Sequence, residues 1–596
     1  MVATGSGVLA QTDLRLDTIW IDYVFVVFYF VLVLGIGVLA RRSIASSLDF
    51  LLSGRSLPAW VTGLAFISAN LGAIELIGMM ANGAQYGMPT VHYYWIGAIP
   101  AMVFLGIVMM PFYYGSKARS VPEFLLMRFN ATTQRVNGIT FALAAVLIAG
   151  VNLYALGLIL EALLGWSLVL AIPVAALVVL SYTFLGGLNA AIYNEVLQFF
   201  VILALLIPLT VAGLARVGGW NGLVTQVSAL PPGPEQLSSW PGTSLTEIMN
   251  PFLSVLGIVF GLGFVLSFGY WTTNFAEVQR ALSARSMSAA RRTPIIGAFP
   301  KALIPLVIVI PGMIAGVLVP QLTTLKQGGP TDVTYNNALS LLMNEVLPNG
   351  ILGVALAGLL ASFMAGMAAN VSSLNTVFTY DLWQDWIRPG QPDEYYLRVG
   401  RTVTVVGCLL AIGTAFIAGS FENLMDYIQA LFSFFNAPLF AIFILGLFWK
   451  RMTGTAGWTG LIGGTIAAVI VDTLVRTEVI AVSSQAGSFI GASAAFVVGI
   501  AVAVVVTTFT TSKPDSELVG LVWALTPREG RAKVGQVAPS AADEVAAGTA
   551  AAPRRYAAIE EVPTAMHDEE GAWWQSPVVM GVLVLALTLV LYLIFA

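Results

Sequence analysis

Long apolar stretches alternate with short charged clusters along almost the whole chain. Most stretches run for about 20 residues, the length that an α-helix needs to cross a hydrocarbon core of about 30 Å. The pattern therefore predicts an all-α polytopic membrane protein. We predict about fourteen transmembrane helices, at residues 18–40, 58–85, 90–114, 137–165, 167–185, 188–216, 251–276, 295–321, 350–380, 398–420, 424–448, 455–475, 486–508 and 574–595.

The composition supports this prediction and removes several classes of function. The 596 residues are 58% hydrophobic and 10% charged, whereas a soluble domain carries about 25% charged residues. The single cysteine, Cys408, cannot form a disulfide within the chain, and two histidines are too few for a histidine-built metal centre. The sequence shows no basic patch for nucleic acid, no hydrolase, kinase or redox motif, and no basic region of a cleaved signal peptide.

The distribution of Lys and Arg predicts the orientation, because cytoplasmic loops carry an excess of these residues. With the N-terminus outside, 22 of the 27 Lys and Arg residues lie in inner loops, four lie outside, and Lys301 lies within a span. An even number of spans then places both termini outside. We expect a multi-pass protein of the plasma (inner) membrane, in which the Ala-rich, Pro-containing stretch 509–573 is a flexible cytoplasmic linker before the last helix.

Polar residues at membrane depth are the candidate functional groups, because a charge there costs several kcal/mol and usually faces the bundle interior. Asn70 and Gly72 interrupt the helix that carries Glu75, and unwound backbone is tolerated at that depth where it lines a cavity. Each candidate also has a structural interpretation, as a paired carboxylate, a snorkelling side chain or a hydrogen bond between helices. Further candidates of this kind are Glu195, Lys301 and Gln429.

The stretch "SFGYWTTNFAEVQR" turns from apolar to polar abruptly after Tyr270 and Trp271. A ring with a hydroxyl group can stack on a ligand and close a passage, and aromatic residues at this depth also serve in packing. The interrupted helix at Glu75 favours a transporter. A channel is the weaker alternative, since no repeat of pore-lining residues is visible, and a solute-sensing membrane protein is the alternative from another class.

Several motifs in order resemble one family of transporters. They include "FLLSGRSLPAWVTGLAFISANLGAIELIGM", "SVPEFLLMRFN", "GYWTTNFAEVQRALSARS", "LNTVFTYDLW" and "LFWKR", across about residues 49–460. Together they resemble the sodium:solute symporter family, and within it the sodium/glucose cotransporter branch. The resemblance implies an inverted-repeat, LeuT-like core of five plus five helices in residues 49–452, with the second and seventh spans broken around a midplane site. Residues 1–48, 453–508 and 574–596 would hold peripheral helices.

The same resemblance assigns residues to a solute site. Tyr270 matches the aromatic residue that closes the sugar site of the family from the inside. Three polar positions of the sugar site match Asn70, Lys301 and Gln429. Three others depart from it: Glu75 stands where sugar carriers have a neutral Gln or His, Tyr94 where they have a Glu, and Ser267 where they have an Asn. A sugar, a polyol, a modified sugar and a cationic solute therefore stay open.

The family's sodium site consists of oxygen ligands, as expected for a hard cation. The resemblance assigns its backbone carbonyls to Ser68, Leu71 and Ser362. Its two adjacent side-chain hydroxyls fall on Ala365 and Gly366, which have no side-chain oxygen. Ala361, Ala365 and Ala369 instead form a small-xxx-small pattern that is typical of close helix packing. On the inward ion path, Glu195 stands where the family usually has an Asp.

These observations predict a secondary active transporter that imports a small organic solute, a sugar or polyol by preference, by alternating access. Sodium symport is the default, and sodium is the one candidate cofactor. Because the hydroxyl pair is lost, a proton-coupled carrier that uses Glu75 or Glu195, or an uncoupled carrier, is the alternative. The expected partners are the solute and the lipid bilayer, the expected state is a monomer or loose oligomer, and no enzymatic activity is expected.

Overall fold

A computed structural model describes residues 18–41, 44, 46–240, 245–246, 250–419, 424–526 and 572–596. Within these ranges the chain is helical, and no β-strand forms. We label the membrane-crossing helices α1 to α14. Their bounds are Trp20–Ala40 (α1), Ala59–Asn70 and Ile74–Tyr86 (α2a and α2b), Met88–Gly115 (α3), Ala131–Leu164 (α4), Leu168–Val217 (α5 and α6), Pro251–Thr273 and Phe275–Leu282 (α7a and α7b), Met287–Leu318 (α8), Ile351–Ile387 (α9), Asp393–Ala418 (α10), Leu424–Phe448 (α11), Gly454–Arg476 (α12), Ser484–Thr508 (α13) and Pro577–Ile594 (α14).

The number of spans agrees with the sequence pattern once two interruptions are recognised. Twelve of the described helices are long and apolar enough to cross a membrane, and the bent pair α2a and α2b adds one more. The 50-residue helix Leu168–Val217 would be about 75 Å long at 1.5 Å per residue, more than twice the hydrocarbon thickness. Its backbone leaves the helical conformation at Gly187, with φ 51° and ψ −146°. It therefore makes two spans, and the prediction of about fourteen is confirmed.

Both helices that were expected to be broken are broken. The axes of α2a and α2b differ by 59°, and Leu71 between them has a non-helical ψ of 46°. Helix α7 stops at Asn274, which has an extended backbone and caps α7b by accepting a hydrogen bond from the backbone N–H of Ala276 at 3.0 Å. Each break leaves backbone groups without intrahelical partners, and polar side chains near the breaks pair with some of them.

Helix α9 is the enclosed centre of the bundle. Ala361, Ala365 and Ala369 are at most 2% exposed, and Gly358 brings the helix so close to α6 that a Cβ there would lie 2.6 Å from the Cβ of Leu205. Small residues let helix backbones approach and gain van der Waals contact where water supplies no hydrophobic driving force. The composition of this helix therefore follows from packing.

The predicted linker 509–573 is described at residues 509–526 and 572–573, and residues 527–571 lie outside the described ranges. The described part packs against the ends of neighbouring helices. The Lys513 ammonium donates to the backbone carbonyl of Met127 at 2.8 Å, and the Trp523 ring lies 6.0 Å from Phe112 and 5.8 Å from Phe448 between centroids. The first part of this segment is therefore attached to the bundle.

The glycine between α5 and α6 yields a first prediction. A side chain at Gly187 would adopt a positive φ and bring its Cβ within 2.5 Å of the Phe50 carbonyl oxygen. We expect Gly187→Ala to reduce the free energy of unfolding by about 1–3 kcal/mol, measured by thermal unfolding in detergent. The matched control is Gly413→Ala on α10, where a Cβ has nothing within 4 Å. Equal stability of the two variants would contradict this account.

Candidate solute and ion site

Six of the seven residues predicted to contact solute line one cavity. It lies between the broken helices α2 and α7 and the helices α8 and α11, and it holds about 50 Å³ of space that the centre of a water molecule can occupy. A few waters fit in such a volume. The six residues are Asn70, Glu75, Ser267, Tyr270, Lys301 and Gln429. The seventh, Tyr94, lies behind this wall and is fully buried.

An ion pair forms the polar wall of the cavity. The Lys301 ammonium donates to Glu75 Oε1 and to Asn70 Oδ1, each at 2.5 Å. The Tyr94 hydroxyl donates to the other Glu75 oxygen, Oε2, also at 2.5 Å. Lys301 Nζ further lies 4.7 Å from the ring centroid of Tyr94 and 5.3 Å from that of Trp271, which adds cation–π attraction in a dry setting.

Tyr270 lines both this cavity and a smaller neighbouring one. Its hydroxyl accepts a hydrogen bond from Asn70 Nδ2 at 3.0 Å and donates to Glu277 Oε1 at 2.6 Å. Its ring lies 4.6 Å from the ring of Phe432 on α11. Hydrogen bonds to α2 and α7b and the ring contact with α11 therefore hold the Tyr270 side chain in place.

One wall of the cavity keeps free hydrogen-bonding capacity. Gln429 is 4% exposed, and its Oε1 has no hydrogen-bond partner among the described residues. Ser267 lines the same space from α7a. This wall therefore contains a hydrogen-bond acceptor without a partner among the described residues.

A second, smaller cavity lies beyond Tyr270. It holds about 10 Å³ on the same measure, which is near the lower limit for one water. Polar groups from four helices line it: Asn152 from α4, Asn274 and Glu277 from α7, Asn370 from α9 and Asn70 from α2.

The predicted sodium ligands make hydrogen bonds to one another. The Ser362 hydroxyl donates to the Leu71 carbonyl, and the Ser68 carbonyl accepts from the backbone N–H of Leu71 at 3.0 Å. Ala365 is fully buried and contributes no oxygen from its side chain. Two of the carbonyl groups that the resemblance assigns to the ion, those of Ser68 and Leu71, thus accept hydrogen bonds from residues of the same set.

Asn152 occupies the space between the α2 break and α9. A Cβ at Gly72 or at Gly366 would overlap its amide oxygen. That oxygen accepts from the backbone N–H of Ala73 at 3.0 Å, and the amide nitrogen donates to the Ile148 carbonyl at 3.1 Å. The amide of α4 therefore satisfies an unpaired N–H at the start of α2b, at the position where the hydroxyl pair of α9 is missing.

Glu195, predicted to lie on the ion path, is held in a buried ion pair. Both Arg280 on α7b and Glu195 on α6 have fully buried side chains, and the guanidinium donates to both carboxylate oxygens. Arg280 also donates to the Ala276 carbonyl at 2.8 Å. The pair therefore ties α7b to α6.

A larger cavity opens at the other end of the bundle. It offers about 660 Å³ on the same measure and is lined by the ends of α2b, α11, α12 and α13. Tyr427 and Ala430 of α11 face this space, whereas Gln429 and Phe432 of the same helix face the solute cavity. The larger cavity lies on the side that the charge distribution predicts to be outside.

Comparison with known proteins identifies the family. The model of the sodium:solute symporter family matches residues 50–464. The chain belongs to the sodium:solute symporter family. As a member, it is a secondary active symporter and not an enzyme, which confirms both predictions at this level.

Individual relatives of this symporter support the assignment. It is 30% identical over 471 residues to a sodium/glucose cotransporter of Vibrio parahaemolyticus, covering 76% of this chain and 84% of the relative. It is 30% identical to sodium/glucose cotransporter 4 of Homo sapiens, covering 78% and 71%. It is 28% identical to sodium/myo-inositol cotransporter 2 of Rattus norvegicus, covering 75% and 69%.

A solved structure supports the fold. The symporter superposes on a sodium-coupled sialic acid symporter in a substrate-bound outward-open state with a TM-score of 0.70 and 21% identity, covering 83% of this chain and 99% of the other. The predicted LeuT-like fold is confirmed.

Three residues of the site were not singled out in the sequence. Glu277 and Arg280 lie in a short amphipathic segment whose sequence is typical of a helix at the membrane surface. Asn152 is a single amide in a long apolar helix. Their roles depend on contacts with residues far away in the chain. A signal was present for Glu277, because it is an acidic residue in the first turn of the helix that restarts after the predicted break.

The buried pair yields a second prediction. Arg280→Met leaves the Glu195 carboxylate without its cation, so we expect a loss of about 3–5 kcal/mol in the free energy of unfolding. Adding Glu195→Leu should restore most of this loss, because the second change removes the uncompensated charge. Thermal unfolding in detergent measures both.

The control for that prediction is the exposed pair between Arg216 and Glu345, whose charged atoms are 3.7 Å apart and whose side chains are 61% and 45% exposed. Arg216→Met should change stability by less than about 1 kcal/mol. A double variant that is less stable than Arg280→Met alone would contradict the pairing account.

Proposed function

We propose that this symporter imports a small uncharged polyhydroxylated solute, a sugar or a polyol, together with a cation. The observation that carries the proposal is the ion pair of Glu75 and Lys301 at 2.5 Å in the wall of the solute cavity. A carboxylate and an ammonium side by side present an acceptor and a donor that match neighbouring hydroxyl groups of one solute.

Two of the departures from the sugar-carrier pattern, at Glu75 and Tyr94, lie next to each other in the structure and compensate one another. The family has a Glu where Tyr94 stands, and this chain has Glu75 on the facing helix. The Tyr94 hydroxyl donates to the Glu75 carboxylate, so the carboxylate lies beside the position from which it is missing and next to Lys301. This supports a wall with the same chemistry as that of a sugar site.

The net charge of the wall favours a neutral solute over a cationic one. Glu75 and Lys301 together carry no net charge, and a cation bound to Glu75 would leave the ammonium of Lys301 without its partner in a dry cavity. A neutral polyol can hydrogen-bond to both groups while the pair stays together. The relatives named as glucose and myo-inositol cotransporters agree with this class of solute.

The solute would enter from the larger cavity on α11 and leave past Tyr270. We place that cavity on the outside of the plasma (inner) membrane, with both termini outside, because this orientation leaves 22 Lys and Arg residues in inner loops and four outside. The Glu195–Arg280 pair then closes the inner side. Alternating access would require both Tyr270 and this pair to move.

Counterflow in proteoliposomes tests the proposal. Vesicles loaded with unlabelled D-glucose, D-galactose or myo-inositol are diluted into labelled solute, and a carrier produces a transient accumulation of label. We expect counterflow with at least one of the three. Binding of such a solute without counterflow would indicate a sensor, and the absence of both binding and counterflow for all three would contradict the proposed solute class.

Glu75 yields a third prediction. Glu75→Gln removes the charged acceptor and leaves Lys301 with an amide oxygen, and a hydrogen bond to a charged group is worth about 1.5–3 kcal/mol. We therefore expect the apparent affinity in counterflow to fall by about 10-fold or more, with the protein still folded by size-exclusion chromatography.

The control for this variant is Glu161→Gln, which changes a partly exposed carboxylate near the end of α4. It should leave counterflow unchanged. Unchanged counterflow in Glu75→Gln would assign Glu75 a structural role and would contradict the proposed wall.

A further inference from the structure

Around the two cavities, the described residues include three buried carboxylates, Glu75, Glu195 and Glu277, and two buried cations, Lys301 and Arg280. Glu75 pairs with Lys301, and Glu195 pairs with Arg280. Glu277 has no ion-pair partner among the described residues and is 2% exposed. With all these groups ionised, the region would carry a net negative charge in an apolar bundle, which is unfavourable by several kcal/mol.

The geometry of Glu277 leaves one of its oxygens available. Oε1 accepts the hydrogen bond of Tyr270, and Oε2 is buried with no hydrogen-bond partner in the part of the chain that the structure describes. The carboxylate lines the small cavity beyond Tyr270 together with Asn152 and Asn370. A buried carboxylate oxygen facing such a space requires a ligand of its own, because unpaired buried polar atoms are rare.

A proton fits this position better than a sodium ion. Sodium requires several oxygens around it, yet the amide oxygens of Asn152 and Asn274 in this cavity already accept backbone hydrogen bonds. The space of about 10 Å³ is near the limit for one water. The resemblance places a pair of hydroxyl ligands at Ala365 and Gly366, and neither residue has a side-chain oxygen. Ala365 and Gly366 therefore do not supply the side-chain ligands of the family's sodium site.

We propose that Glu277 binds the coupling proton of this symporter. The inference rests on the proposed function and specifies its cation. It also replaces Glu75 and Glu195 as the proton carriers considered from the sequence, because each of those carboxylates already has a buried cationic partner.

The groups around Glu277 define its electrostatic setting. Arg280 and Tyr270 of the same broken helix, Lys301 of α8 and Glu195 of α6 act on it. The facing segments of α2 and α9, residues 59–70 and 351–376, contain no titratable side chain. The two cations are each held by another carboxylate, so neither neutralises Glu277.

Protonation would change the hold on Tyr270. A proton from water on the outer side binds Oε2 of the carboxylate and forms a neutral carboxylic acid. The hydrogen bond from Tyr270 to Oε1 then loses its charge assistance, and such bonds are roughly twice as strong as neutral ones. Tyr270 is thereby freed to leave the cavity, and the proton returns to water on the inner side, so that one positive charge crosses in each cycle.

Transport measurements test the coupling. Proteoliposomes with counterflow activity for one of the three probes are given an inward proton gradient without sodium. We expect accumulation of the probe in the wild type, stimulated by an inside-negative potential. Glu277→Gln, which mimics the protonated state, should lose accumulation completely, and any counterflow that it retains should no longer depend on pH, whereas Glu277→Asp should keep accumulation with a shifted pH dependence.

A control and a second measurement keep the test independent of the solute. Glu394→Gln changes an exposed carboxylate at the start of α10 and should accumulate the probe as the wild type does. Infrared difference spectra of the purified protein between acidic and alkaline pH should show carbonyl bands of buried carboxylic acids, and the band of Glu277 is the one that should be missing in Glu277→Gln.

The outcomes separate the two proposals. Absence of counterflow for all three probes refutes the solute class, while the infrared band still decides on Glu277. A wild type without such bands, or bands that Glu277→Gln retains in full, overturn the proton site. Accumulation that requires a sodium gradient and persists in Glu277→Gln overturns it as well.

Discussion

The burial of charge in an apolar bundle is the constraint on which this site depends. An ionised side chain at membrane depth must be paired, hydrogen-bonded or neutralised. Glu75 and Lys301 join α2b to α8, and Glu195 and Arg280 join α6 to α7b. Each pair therefore connects one half of a broken helix to an unbroken neighbour. The same contacts that compensate the charges also set the positions of the half-helices.

The second constraint is the exposed backbone at the break in α2. A helix that restarts in the middle of the bundle presents N–H groups without intrahelical partners. In this chain the Asn152 amide accepts one of them, at Ala73, and it fits there because Gly72 and Gly366 carry no Cβ. The amide on α4 thus occupies the space that the small residues of α2 and α9 leave between these helices.

Tyr270 connects the solute cavity with the region of unbalanced charge. Its hydroxyl contacts Asn70 on the side of the solute and Glu277 on the inner side. A change in the charge of Glu277 therefore acts on a residue that also lines the larger of the two cavities. The proposed coupling of cation and solute would pass through this single side chain, without a long chain of contacts.

Much of the fold could be predicted from the sequence, because spans of about 20 apolar residues and the bias of Lys and Arg are local properties. The breaks at Asn70 to Gly72 and after Tyr270 were visible for the same reason, as polar residues in apolar helices. The partners were not: the contacts of Glu75 with Tyr94, of Glu195 with Arg280 and of Asn152 with Gly366 join residues on different helices. Sequence alone determined that charges lie within the membrane, and the tertiary structure decided which of them are compensated, because pairing depends on distances that only the packing of the helices sets.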